Sequence, residues 1–207
     1  TRAELRVDRS GLDRVDAVRA DAIADAHSFA GNAATIAARL NAGGSIAVMP
    51  GIEVRSTGDL VAETDWNLFA DFGADAREGT LTLRSAGNLT ILGNISDGFS
   101  TADRNGVLQD AASWNLRLVS GADLSSASAL ALTPLAGLPG GSGTLTVGDS
   151  VNGYQIRTGT GDIDVAAGRD LALANSASAI FTAGQADAPL AGFTAAADAT
   201  YGVFGGN

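Results

Sequence analysis

Residues 52–60 read Ile52-Glu53-Val54-Arg55-Ser56-Thr57-Gly58-Asp59-Leu60. The phrase returns as Leu81-Thr82-Leu83-Arg84-Ser85-Ala86-Gly87-Asn88-Leu89. It returns more loosely over residues 114–124 and again as Tyr154-Gln155-Ile156-Arg157-Thr158-Gly159-Thr160-Gly161-Asp162-Ile163. Each copy is a short alternating strand, a Gly turn with a small polar residue, and the start of a second strand. A unit this short cannot bury its own apolar face, so it must stack on neighbouring copies. That requirement predicts a solenoid of parallel strands. The corner Gly and Asn residues are read as turn formers that accept positive φ.

Upstream of the phrase the apolar spacing is helical. Val15, Val18, Ala22, Ala26, Phe29, Ala33, Ile36 and Leu40 recur in steps of three and four, which predicts one amphipathic segment over about 11–41. Ser10 with Asp13 reads as its N-cap and third-position carboxylate. Gly31-Asn32 reads as a break, and Gly43-Gly44 as its end. Downstream, the period-two pattern is interrupted at 65–78, which carries Trp66, Phe69 and Phe72, and at about 97–112, which carries several acids. Both are read as lateral loops. Strands are expected again over 113–132, a turn-rich run over 133–143, and dense alternation over 144–182.

The chain has 207 residues, no cysteine and a formal charge of -10. Its 13 basic residues are all arginine. The acidic balance argues against nucleic acid and anionic membrane as partners. Absence of cysteine excludes disulfides and Cys-based zinc or redox chemistry. No stretch reaches the roughly 20 apolar residues of a spanning helix. The first residue is Thr, and no signal peptide is visible, which reads as an excised or processed segment of a longer chain.

Candidate chemistry is sparse. His27 is the single histidine and has no triad or metal partner nearby, so it reads as a packing or surface residue. Asp97, Asp103 and Asp110 fall on one loop; a pair of carboxylates about 5–10 Å apart could hydrolyse a glycoside. The plainer reading is that they solvate the loop. Arg104 stays protonated and would make a poor base for a lyase. Asp162 and Asp164 share one side of a strand and could meet an ion, although the spacing of a calcium-binding nonapeptide fails at Ile163. Asn88-Leu89-Thr90 and Asn94-Ile95-Ser96 match glycosylation sequons, but their Asn residues read first as turn formers. The aromatic loop at Trp66, Phe69 and Phe72 is the leading recognition candidate, with folding back onto the flank as its plain alternative. The candidate binding residues are thus Trp66, Phe69, Phe72, Asp97 and Asp103. No catalytic residue, metal or cofactor is assigned.

Several stretches resemble the large filamentous-haemagglutinin-like exoproteins of Gram-negative bacteria. They are Met49-Pro50-Gly51-Ile52-Glu53-Val54-Arg55-Ser56, Gly87-Asn88-Leu89-Thr90-Ile91 followed by Ser96-Asp97-Gly98-Phe99, and the run from Gly161 to Leu171. Ile36-Ala37-Ala38-Arg39-Leu40 ahead of the first phrase is similar too, so the resemblance spans about residues 20–185. It implies a right-handed parallel β-helix. It also implies export to the cell surface or medium, often by two-partner secretion through an outer-membrane partner. The family's common roles are adhesion, biofilm formation and display of a toxic C-terminal domain. Neither a secretion domain nor a toxin-like end is recognisable, so this chain reads as an interior stalk segment.

The expectation is therefore an all-β protein: a right-handed parallel β-helix, or β-solenoid, with an N-terminal amphipathic helical segment and lateral loops. Its parts are a helical segment at 1–43, the β-helix at 44–184 and an irregular tail at 185–207. The expected role is a non-catalytic structural or adhesive one. Expected partners are a glycan or a host or neighbouring cell surface, and another copy of the chain stacked end to end.

Overall fold

The computed structural model describes residues 2–4, 12–40, 47–73 and 78–185. In chain order these form β1 (Arg2–Glu4), β2 (Leu12–Arg14), a 3-10 turn at Val15–Ala17, α1 (Arg19–Gly31), α2 (Ala33–Arg39), β3 (Gly51–Ser56), β4 (Asp59–Ala62), β5 (Trp66–Asn67) and α3 (Leu68–Phe72). There follow β6 (Thr80–Ser85), β7 (Leu89–Ile91), β8 (Ile95–Ser96), β9 (Asn115–Ser120), β10 (Leu145–Val147), β11 (Gln155–Thr158), β12 (Ile163–Ala167), β13 (Leu171–Leu173) and β14 (Ala179–Thr182).

The strands assemble into three sheets, ordered β1-β3-β6-β9-β12, β13-β10-β7-β4-β2 and β14-β11-β8-β5. Every pairing between these strands is parallel, and the chain visits the sheets in turn. Register places like on like. Ile52, Leu81, Leu116 and Ile163 line up across the first sheet. Leu60, Leu89, Leu145 and Leu171 line up across the second, and Trp66, Ile95, Ile156 and Ile180 across the third. Apart from Leu171, which is exposed at the end of its row, these residues belong to or pack against one buried cluster, the shared interior that a single phrase could not supply. Ser56, Ser85 and Ser120 form a further inward row. Their hydroxyls bond to corner carbonyls: Ser85 Oγ donates to Gly58 O at 2.6 Å, and Ser120 Oγ to Gly143 O at 2.9 Å.

The all-β class and the right-handed parallel β-helix are corrected by these observations. What is present is three parallel sheets together with helices, an α/β-like arrangement, and among the described residues no closed solenoid is shown. Helix α1 is a layer of the same core, because Ala22 and Ala26 are buried in the common cluster. Alanine there lets the helix approach the sheet closely. The expected apolar face is therefore only partly right: Ala22, Ala26 and Ala30 turn inward, while Phe29 and Leu40 are exposed.

Three local expectations also change. Leu12–Arg14 is a strand paired with β4 rather than the first helical turn. Asp13 is buried and accepts a 2.6 Å bond from Ser56 Oγ, so it caps the serine row instead of a helix. Ser10, Gly43, Gly44, residues 74–77 of the expected loop 65–78 and residues 186–207 of the expected tail lie outside the described residues. Residues 121–143 form a third insertion where strands were expected as far as 132. It is held by an antiparallel bridge from Ala122 to Leu132 and contains a 3-10 turn at Leu135–Gly137.

The corner glycines divide between the positive φ expected of them and a second cause. Gly121 does sit at positive φ, at 65°. Gly87 and Gly161 do not; they are close-approach positions. A Cβ on Gly87 would strike Asp59 Oδ1, and one on Gly161 the Trp114 carbonyl.

Candidate functional site

The Asp and Asn side chains beside these corners form stacked ladders. Asp59 Oδ1 accepts from Asn88 N at 2.6 Å, and Asn88 Oδ1 accepts from Thr144 N at 3.0 Å. Asp65 Oδ1 accepts from Asn94 N at 2.7 Å, and Asn94 Oδ1 from Gln155 N at 2.9 Å. Each side chain thus satisfies a backbone donor on the next pass. Both sequon asparagines have their amide oxygens committed in this way.

The aromatic segment 65–73 is not a projecting loop. Asn67 Oδ1 caps α3 by accepting from Ala70 N at 3.3 Å, the usual service of an N-terminal Asn. Trp66 and Phe72 are each only 3 % exposed. Phe72 stacks on Trp114 with ring centroids 4.3 Å apart, and the His27 ring lies 4.7 Å away on α1. Phe69 is half-buried. The apolar surface of Trp66 and Phe72 is used in the core, so the three aromatics do not present a common open face.

What this segment does present is a cleft of about 320 Å³ against α1. Arg19, Ile23, Asp65, Trp66, Asn67 and Asp71 contribute to its lining. The Trp66 indole N–H donates to Asp71 Oδ2 at 2.9 Å. Arg19 lies 5.8 Å over the Trp66 ring and donates to Asp65 O at 2.8 Å. Burial pushes the Asp71 carboxyl above the usual carboxylate range, against the opposing effects of the Trp66 bond and the Arg19 and His27 charges.

The acidic segment 97–112 is also mostly structural. Asp97 is 2 % exposed. Its Oδ1 accepts from Gly98 N at 2.8 Å, and its Oδ2 accepts from Trp114 N. The two amides flank the insertion, so this carboxylate ties its ends together. Burial pushes the Asp97 carboxyl up to about 6, opposed by the bonds from Trp114 and Gly98. Asp103 is exposed and accepts from Thr101 Oγ1 at 2.7 Å and Asn105 N at 3.0 Å. These bonds, the Thr101 one foremost, hold its carboxyl below the usual range. Asp97 and Asp103 therefore do not line a common groove, and Asp110 accepts from Gln185 Nε2 at 3.0 Å.

The residues that organise the insertions are arginines. Arg157 lies 3.9 Å from the Phe99 ring centroid, donates to Ser96 Oγ at 3.2 Å, and gathers the carbonyls of Thr101 and Asp103. Arg84 pairs with Glu53 at 2.9 Å and donates to Asp123 O at 2.8 Å, pinning the 121–133 turn. Arg104 donates to Gly153 O at 3.0 Å and Ala177 O at 2.8 Å. A planar, always-charged fork with five donors in fixed directions holds several carbonyls with less loss of side-chain freedom than an ammonium on a flexible stem. The signal available in the sequence was the use of arginine to the exclusion of lysine.

Two further grooves lie elsewhere on the molecule. One, of about 270 Å³, lies on the outer face of the first sheet and is lined by Glu53, Thr82, Arg117 and Ala129; Arg117 there pairs with Asp164 at 3.3 Å. The other, of about 360 Å³, lies at a corner against Leu138 and Pro139. Among the described residues no group of three His or acidic side chains could hold a metal ion, and no helix is long and apolar enough to cross a membrane. No family model matches the chain, and neither a curated protein nor a solved structure matches it.

Proposed function

We propose that this chain is a non-catalytic structural and adhesive segment of a secreted bacterial surface exoprotein of the filamentous-haemagglutinin-like kind. Its task is to extend a stiff scaffold that supports attachment or fibre formation. The observation that carries the reading is the parallel register, which runs unbroken across five, five and four strands. Each pass buries the face of the one before it, and the conspicuous side chains serve that stacking. Two of the carboxylates named for hydrolysis have structural bonds instead: Asp97 bonds backbone amides inside the fold, and Asp103 bonds its own turn.

Beads coated with the purified chain test this directly. They are expected to adhere to glycan-bearing or cell surfaces above uncoated beads, and the chain is expected to turn over nothing on a polysaccharide panel. Turnover that disappears in Asp97→Asn or Asp103→Asn replaces the scaffold reading with a carbohydrate-active enzyme. Adhesion equal to uncoated beads removes the adhesive part.

A further inference from the structure

We propose that the cleft between α1 and the β5–α3 segment binds an organic ammonium or guanidinium group carried on an apolar stem, with Asp71 as its anion. The proposal goes beyond the scaffold reading and depends on neither export nor adhesion.

The chemistry follows from what each lining group has left to offer. Asp71 is acceptor-only when ionised. One of its oxygens takes the Trp66 indole N–H, and among the described residues its carboxylate makes no ion pair. Two cationic groups act on it from further off: Arg19 is directed elsewhere, donating to Asp65 O at 2.8 Å and lying 3.7 Å from the Asp16 carboxylate, and the His27 ring packs on Phe72. Asp71 is therefore partly removed from water without a direct counter-ion, and a bound cation would relieve that cost.

The rest of the cleft selects the stem. Ala20, Ile23 and Ala70 are apolar lining groups, suited to a methylene chain leading to the charge. A sugar fits less well. Hexose recognition by an aromatic needs an open ring face, and Trp66 is almost wholly buried with Arg19 above it. A cavity near 320 Å³ sits at the small end of ligand sites, about 300–1,000 Å³. The net charge of -10 favours encounter with cations. A free diamine and the lysine side chain of a basic peptide share this chemistry.

Calorimetric titration of the full chain with 1,5-diaminopentane and with an acetylated Lys-containing tripeptide tests the site. 1-Pentanol and glucose serve as neutral controls. Saturable binding of the diamine, the peptide or both is expected, and the controls should give none. The diamine alone would identify a free amine as the source, and the peptide a partner's lysine. Asp71→Asn keeps an acceptor for the Trp66 N–H and should weaken binding at least tenfold. Ala70→Trp fills the cleft from an exposed position and should abolish binding even if the Asn variant folds poorly. No saturable binding by either cation, unchanged affinity in both variants, or glucose binding that survives Asp71→Asn overturns the proposal.

Discussion

Asp97 makes the fold's stability depend on pH in a direction opposite to that of a salt-bridged carboxylate. Its carboxyl moves from an ordinary value of 3.8 to about 6 because burial penalises the charge more than the Gly98 and Trp114 amides reward it. The native state therefore holds the proton more tightly than the unfolded chain. The stability contributed by this group is fully present below pH 3.8 and is lost as pH rises through about 6. A shift of about two units corresponds to roughly 3 kcal/mol in total, of which about 2 kcal/mol falls between about pH 4 and about pH 8. The experiment is urea unfolding of the wild type and of Asp97→Asn at those two pH values. Other titrating groups are common to both proteins, so the difference between them isolates Asp97. The wild type should lose about 2 kcal/mol relative to the variant on going from low to high pH. An offset arises because the Asn amide turns a donor toward one of the two backbone N–H groups, but that offset does not vary with pH. Parallel curves for the two proteins, or an Asp97 side-chain carbon that titrates near 4 by NMR, would refute the burial argument.

Leu89 is fully buried between Leu60 and Leu145, so Leu89→Ala should cost about 2–5 kcal/mol in denaturant unfolding. Arg157→Lys keeps the charge but loses the separate Nε and terminal nitrogens that reach Ser96 on one side and Thr101 and Asp103 on the other; a loss of about 2–3 kcal/mol and faster proteolysis within 98–112 are expected. Gly161→Ala would drive a Cβ into the Trp114 carbonyl and should destabilise by about 1–3 kcal/mol. Gly140→Ala meets nothing within 4 Å and should leave the melting temperature unchanged or slightly raised, which makes it the matched control.

The strand positions were legible because their signal is local. Period-two alternation over Ile52–Ser56 and Leu81–Ser85 needs only the pleat, and the recurrence of the phrase needs only that its face be buried. Both are recovered in register. The helical period before residue 40 was legible for the same reason, but its start was not. Asp13 satisfies a capping pattern and a buried strand position equally well, and only Ser56, 43 residues away, decides between them.

The candidate site was far less legible. Phe72 looked like an exposed aromatic because the rings that cover it, His27 and Trp114, lie far from it in the chain, and Trp66 because Arg19 of α1 lies over its ring. The cleft beside them needs Arg19 and Ile23 of α1 opposite Asp71, and no spacing rule brings these together. Asp97 likewise shows only as one acid among several until the Trp114 amide is placed against it.

By itself the sequence determined that short strands recur, that their alternate residues are apolar, that Gly and Asx residues mark the corners, and that helical periodicity precedes them. These are consequences of backbone period and side-chain volume, which act within a few residues. Tertiary structure alone decided that α1 joins the core of three parallel sheets, which glycines are forced by contact rather than by φ, and which carboxylates are buried. Those outcomes depend on what stacks against what across dozens of residues, where close packing and desolvation set the balance.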